Sequence, residues 1–86
     1  MKLSNELNEA LNQQIVHEYG NMLVYQRMNN FFENLQLKNL ASYFKKQSED
    51  ENGHANKFID HLNDRTGGNV VISEITPPYD VKELSD

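Results

Sequence analysis

Apolar residues recur at helical spacing along two long stretches of the chain. Four core-facing positions of the first stretch stand seven residues apart, at Leu11, Glu18, Tyr25 and Phe32. The second stretch repeats this spacing at Leu37, Phe44, Glu51 and Phe58. A seven-residue repeat of this kind is typical of helices that pack side by side. The pattern therefore predicts two helices, spanning residues 5–34 and 37–65.

A short link around Gln36 separates the two predicted helices. Links of this length join antiparallel neighbours, so the sequence predicts an all-α fold, an antiparallel helical hairpin. Ser4 or Asn5 is suited to cap the first helix. Each helix would be about 45 Å long, and two such helices cannot bury a two-sided apolar stripe between themselves. We therefore expect a second chain to pack against the hairpin and complete a four-helix bundle.

The last part of the chain, residues 66–86, has a different character. Gly67 and Gly68 follow the predicted helix end, where a left-handed C-terminal cap favours glycine. Residues 70–72 are β-prone, and two adjacent prolines then stop any helix. We therefore divide the chain into a hairpin, residues 1–65, and an extended tail. The tail is either disordered or crosses a dimer as a short strand pair, and the sequence leaves both open.

Composition narrows the classes of function. The 86 residues include no cysteine, which excludes disulfides and thiolate metal sites. A chain this short buries little surface alone, so a metal or a partner chain is expected to stabilise it. The net charge is −5 and the sequence has no basic stripe, which argues against nucleic acid as a partner. No apolar run approaches membrane-spanning length. The lack of cysteine and of a signal peptide predicts a cytoplasmic protein.

Two carboxylates occupy positions within the apolar stripes. Glu18 and Glu51 each have an apolar residue seven positions before and seven positions after them. An unpaired buried carboxylate costs several kcal/mol, so each should have a compensating partner. His54 follows Glu51 by three residues and shares its helix face. Carboxylates and an imidazole together suit iron, manganese or zinc.

Counting from the turn brings these three residues to one height. Glu18 lies 18 residues before Gln36 and His54 lies 18 residues after it, about 27 Å from the turn along each helix. Glu51 is within one helical turn of that level. Because the level is near the middle of each helix, a second copy across a two-fold axis would add the same ligands at the same height. Two single glutamates and two Glu-x-x-His pairs would then form the ligand set of a di-iron carboxylate bundle.

Most of the chain resembles the ferritin family. Residues 11–25, LNQQIVHEYGNMLVY, are similar to the first helix of a ferritin. Residues 38–72 resemble the second helix and the start of the long crossing loop, and residues 75–78, ITPP, also resemble that loop. The similarity is collinear, which makes it far more specific than Glu-x-x-His alone. The third and fourth helices of a ferritin subunit have no counterpart in these residues.

The resemblance implies an activity and a role for individual residues. Ferritins oxidise Fe(II) with O₂ or peroxide and store the product as a mineral. By this resemblance Glu18, Glu51 and His54 correspond to the first-half iron ligands, and Tyr25 corresponds to the tyrosine beside that site. Asn52 stands where haem-binding ferritins carry a methionine, so no haem is expected.

Two functions follow from the sequence. The first is a homodimer or higher homo-oligomer that acts as a ferroxidase, converting Fe(II) to Fe(III) for iron storage or detoxification. The second is a structural or dimerisation module without productive metal chemistry. Among the remaining residues, His17 and His61 are predicted at the surface. Gly20 and Gly53 either permit a close helix approach near the site or are merely tolerated.

Overall fold

The computed structural model describes residues 3–64 and 68–78, which form two helices and no strand. Helix α1 spans Asn5–Asn34 and helix α2 spans Lys38–Asn63. The helices pack along each other in opposite directions, since Asn29 of α1 donates to the Ala41 carbonyl and Ser48 of α2 donates to the Met22 carbonyl. The predicted all-α hairpin is confirmed. Within the described ranges, no helix is long and apolar enough to cross a membrane.

Local chemistry sets where the helices begin and end. The Ser4 hydroxyl accepts a hydrogen bond from the Leu7 amide at 3.2 Å, which is the side-chain cap predicted for α1. At the other end, the Gln36 amide donates to Glu33 and the Leu37 amide donates to Phe32. This pair of bonds is a Schellman motif, and it places Gln36 in the left-handed region with φ 61°.

Helix α2 differs from its prediction at both ends. It begins at Lys38 rather than residue 37, and Leu37 is its N-cap, which makes no side-chain hydrogen bond to the first turn. It ends at Asn63 rather than residue 65, with Asp64 as its C-cap. The first glycine of the predicted stop, at position 67, lies outside the described residues.

The hairpin has two apolar clusters, one toward each end. At the open end, opposite the turn, the buried residues are Leu3, Ile15, Ala55 and Leu62. Val70 packs against them from beyond α2. At the turn end, near Gln36, the buried residues Val24 and Met28 contact partly buried aromatic rings, which are Tyr25, Phe31, Phe32 and Phe44.

Residues 68–78, which we call the strap, run along α1 in the same direction as the helix. The Asn69 amide donates to the Asn8 side chain at 2.8 Å. Asn12 accepts from the Val71 amide and donates to the Asn69 carbonyl, both at 2.7 Å. Within the described residues the strap forms no strand in the single chain. Disorder of the tail and strand pairing across a dimer both stay predictions.

Gly20 lies under the far end of the strap. A β-carbon at this position would stand 3.3 Å from the Thr76 carbonyl oxygen and 3.6 Å from the Pro78 ring. The glycine therefore permits a close approach, but of the strap and not of another helix. At Gly53, the other helical glycine, a β-carbon would meet nothing within 4 Å.

Candidate metal centre

Three side chains from the two helices converge midway along the hairpin. The Nδ1 atom of His54 lies 3.4 Å from Glu18 Oε2 and 3.8 Å from Glu51 Oε1. One ligand-type atom from each residue can be chosen so that all three lie within 4.8 Å of one another. Ligands held by one divalent metal at about 2.1 Å stand at most about 4.2 Å apart. Small side-chain movements would therefore close this cluster around a metal ion.

The two carboxylates are largely shielded from water, whereas the imidazole is not. The side chains of Glu18 and Glu51 are 12% and 15% exposed, and that of His54 is 52% exposed. Beside them is a depression of about 250 Å³ lined by Glu18, His54, Lys57 and Phe58. The hairpin thus covers one side of the cluster and leaves the histidine side open.

One oxygen of the cluster has no hydrogen-bond partner. Glu51 Oε2 is buried, and no donor among the described residues reaches it. An unsatisfied buried carboxylate oxygen is costly and calls for a compensating group. A coordinated cation would supply that compensation, so the residues present fit a metal ion.

The two glutamates have opposite pKa shifts. Burial acts to raise the pKa of Glu18, but the neighbouring Glu51 carboxyl, the Gln14 amide and the His54 ring together lower that pKa below its ordinary value of 4.5. The pKa of Glu51 is raised, first by the Glu18 carboxylate beside it and then by burial. In the absence of metal Glu51 is therefore the member of the pair that takes up a proton first as the pH falls, and Glu18 stays ionised to lower pH.

Sequence reasoning missed two amides that adjoin the carboxylates. Gln14 Nε2 donates to Glu18 Oε1 at 2.8 Å, which leaves Oε2 turned toward His54. Asn21 acts against the other effects on Glu51 by lowering its pKa. Both residues lie one turn from Glu18 on α1, at spacings of four and three. Gln14 could have been predicted as a partner of Glu18, because side chains four positions apart on a helix lie close enough to interact.

Tyr25 belongs to the aromatic cluster of the turn end. Its ring stacks on Phe44 with centroids 6.1 Å apart, and Phe44 in turn stacks on Phe32 at 5.5 Å. Its role beside the metal site stays a prediction. His17 and His61 are exposed, as the sequence predicted.

Comparison with known proteins identifies relatives over nearly the whole chain. The family model described as a ferritin-like domain matches residues 8–86. Ferritin-3, chloroplastic, of Vigna unguiculata is 44% identical over 77 residues, covering 87% of this chain and 30% of that protein. Ferritin-2, chloroplastic, of Nicotiana tabacum is 42% identical, with 90% and 30% covered. Ferritin-4, chloroplastic, of Arabidopsis thaliana is 40% identical, with 99% and 33% covered.

The names of these relatives correct the predicted location, and their lengths show that this chain matches only part of each. Each is named as a chloroplastic protein, which points to the plastid, so the predicted cytoplasmic location is wrong. The prediction failed because the absence of cysteine does not distinguish one reducing compartment from another. The chain spans about a third of the length of the curated relatives that it matches.

Proposed function

The chain belongs to the ferritin-like family, and on that premise we propose that it binds and oxidises Fe(II) at a di-iron carboxylate centre shared by two copies of the chain. The observation that supports this most directly is the cluster of Glu18, Glu51 and His54. Its ligand atoms lie within 4.8 Å of one another, and Glu51 keeps a buried oxygen without a donor. Such a cluster suits a cation better than it suits a purely structural role.

A second copy is the proposed source of the remaining ligands. One hairpin offers two carboxylates and an imidazole, which is half of the set that di-iron bundles use. The stripe that would face the partner remains only partly buried in the single chain, at Leu11, Tyr25, Phe32, Phe44 and Phe58. Ile15 and Leu62 are fully buried within the chain and would add nothing to that interface.

Each residue of the cluster has a proposed task. Glu18, already ionised, attracts the first Fe(II) and binds it as a terminal ligand. Glu51 would bridge the two ions, because one of its carboxylate oxygens is buried without a hydrogen-bond donor. His54 supplies the nitrogen ligand from the open side of the cluster. Tyr25 is proposed to adjoin the centre as a hydrogen-bonding group.

Fe(II) is the substrate of this reaction, and O₂ or peroxide is the oxidant. Two Fe(II) ions each give up one electron, and O₂ takes both electrons with two protons to leave as hydrogen peroxide. The ionised carboxylates favour this outcome because they stabilise Fe(III) more than Fe(II). We propose iron storage or detoxification as the purpose, in a plastid, with no haem, since position 52 is an exposed asparagine without a thioether.

The alternative is a hairpin that dimerises without metal chemistry. The partly buried stripe favours association whether or not iron binds. Anaerobic Fe(II) titration combined with sedimentation equilibrium separates the two readings. We expect a dimer that binds about two Fe(II) ions and that forms ferric product with O₂ consumption once air is admitted. A dimer that binds no iron would support the structural module, and a compact monomer without iron would overturn both.

A substitution at Gln14 tests the geometry more closely. Gln14→Leu removes the amide that fixes Glu18 Oε1, and a lost supporting hydrogen bond typically lowers metal affinity by about 10- to 100-fold. Gln13→Leu is the matched control, because Gln13 is exposed and has no hydrogen bond to the cluster. Equal Co(II) affinities for both variants, measured by competition, would remove Gln14 from the centre.

A further inference from the structure

The sequence contains one asparagine followed by glycine, and the pair lies inside the ligand motif. Asn52 and Gly53 stand between Glu51 and His54 on α2. The Asn52 side chain is exposed, and the space where a β-carbon of Gly53 would stand is empty to 4 Å. Within the single chain no packing requirement accounts for glycine here, where it weakens the helix by about 1 kcal/mol relative to alanine.

Asparagine followed by glycine is the dipeptide that deamidates most readily, because an unhindered, flexible residue supplies the attacking nitrogen. The Gly53 backbone nitrogen forms a bond to Asn52 Cγ, and the side-chain nitrogen leaves as ammonia with the displaced proton. The cyclic imide that results is opened by water at either carbonyl. Opening at one carbonyl gives aspartate, and opening at the other gives isoaspartate, whose backbone contains an additional methylene group.

We propose that Asn52 is a deamidation site whose isoaspartate product disables the metal centre. Glu51 and His54 share a face only because they stand three positions apart along a regular helix. An additional backbone atom between them breaks the hydrogen-bond register of α2 and rotates the two side chains apart. The aspartate product keeps the register, so it retains the cluster and adds only a surface charge.

The reaction requires the helix to open around Asn52. In a helix the Gly53 N–H is bonded to the carbonyl four residues earlier, and the dihedral angles hold its nitrogen away from the side chain. Local opening releases both restraints, and Gly53 makes such opening easier. A metal ion held by both Glu51 and His54 would tie this turn closed. That coupling rests on the proposed function, whereas the deamidation itself does not.

The test uses the metal-free full chain, incubated in mildly alkaline buffer and digested with trypsin. Cleavage after Lys46 and Lys57 gives one peptide that contains both Asn52 and Asn56, and both asparagines are exposed on α2. Asn56 precedes lysine and so serves as an internal control. Mass spectrometry with electron-transfer fragmentation should locate modification at Asn52 well before Asn56. Equal rates at the two positions, or no modification at Asn52, would overturn the proposal.

Two further measurements sharpen the result. Gly53→Ala should keep the helicity, since its methyl group meets no atom, and should abolish the modification. Co(II) at 100 times its dissociation constant should slow the wild-type reaction about 100-fold if only the metal-free chain opens. Binding of Co(II) without slowing would overturn the coupling, and failure to bind Co(II) would instead overturn the proposed metal site. Isolated isoaspartate protein that still binds Co(II) as tightly as wild type would overturn the proposed consequence.

Discussion

The open end and the turn end of the hairpin are completed in different ways. At the open end Ile15, Ala55 and Leu62 are fully buried, because Leu3 and the strap cover what two helices alone leave exposed. At the turn end Val24 and Met28 are buried too, but nearby apolar side chains remain about half exposed, namely Leu35, Leu37, Leu40 and Tyr43. Near the open end the comparably exposed side chains are Leu7 of α1 and Val71 and Ile72 of the strap. Residues outside the two helices therefore cover the core at the open end, whereas no described segment outside the helices packs against the turn-end cluster.

The candidate metal centre lies between the open end and the turn end of the hairpin. Its carboxylates are shielded within the chain, as the open-end core is, while His54 is exposed, as the turn-end residues are. A partner that covers the turn end would extend along the same stripe to the histidine. The contrast between the ends therefore bears directly on whether the centre is completed by association.

The largest effect is expected from truncating a leucine at the open end. Leu62→Ala removes a fully buried side chain and should lower the free energy of unfolding by about 2–5 kcal/mol. In so small a protein this loss should abolish the cooperative urea transition followed by circular dichroism.

Leu40→Ala provides the matched change at the turn end. Leu40 is 45% exposed, so its truncation should alter the unfolding free energy of the monomer by no more than about 0.5 kcal/mol. It should instead weaken dimerisation in sedimentation experiments. Equal destabilisation by the two substitutions would show that the ends do not differ as described.

The second prediction concerns the strap. Asn12→Ala removes two hydrogen bonds to the strap, whereas Asn8→Ala removes one. At about 1 kcal/mol for each bond, Asn12→Ala should cost about 2 kcal/mol and Asn8→Ala about half of that. Amide hydrogen exchange should quicken at Val71 in the Asn12 variant and stay unchanged at the turn end. Unchanged exchange at Val71 would show that these bonds do not hold the strap.

Much of this architecture follows from regularities that a sequence displays. The seven-residue spacing of Leu11, Glu18 and Tyr25 predicted α1, and the Ser4 cap fixed its start. The constant rise of a helix brought Glu18 and His54 to one level by counting alone. Local and periodic features were therefore predictable, and they include the residues that form the candidate site.

The strap and its effects were not predictable in this way. Its position depends on hydrogen bonds between residues nearly 60 apart in sequence, such as Asn12 and Val71. Nothing periodic in residues 68–78 indicates which face of α1 they follow. The full burial of Ile15 and Leu62 and the contact at Gly20 depend on segments outside the two helices, so the stripes alone could not predict them.

The third prediction concerns the pH dependence of metal-free stability, which the two glutamates midway along the hairpin should control. The raised pKa of Glu51 means that the folded, metal-free chain binds more protons than the unfolded chain over the pH range in which this group titrates. Its stability should therefore rise as the pH falls through the raised pKa. The lowered pKa of Glu18 acts in the opposite sense below 4.5, where stability is lost as that carboxylate is protonated. The contribution of this pair to metal-free stability should thus pass through a maximum as the pH falls.

Glu51→Gln removes the group whose protonation is expected to raise the stability of the metal-free chain as the pH falls. The amide keeps the shape and can donate to Glu18, so the metal-free variant should be more stable than wild type at neutral pH by about 1 kcal/mol. The gain should vanish at the pH where Glu51 holds its proton. With Co(II) present the sign should reverse, because a ligand is lost. Thermal melts that show one constant shift, independent of pH and metal, would mark Glu51 as an ordinary structural residue.

The smallest effect is expected at the turn itself. Gln36 adopts φ 61° at the position of the Schellman motif where glycine is preferred. A side chain in this region costs about 1–2 kcal/mol, and glycine avoids that cost but loses about 0.5–1 kcal/mol of additional backbone entropy on folding. Gln36→Gly should therefore stabilise the hairpin by about 0.5–1 kcal/mol. Gln36→Val should destabilise it, because a β-branched residue fits the left-handed region poorly. Gln36→Ala should be nearly neutral and serves as the control for loss of the side chain.

Because the turn lies far from the strap, hydrogen exchange at Val71 should follow global stability alone. A larger change there would show that the two ends are coupled more closely than their separate cores imply.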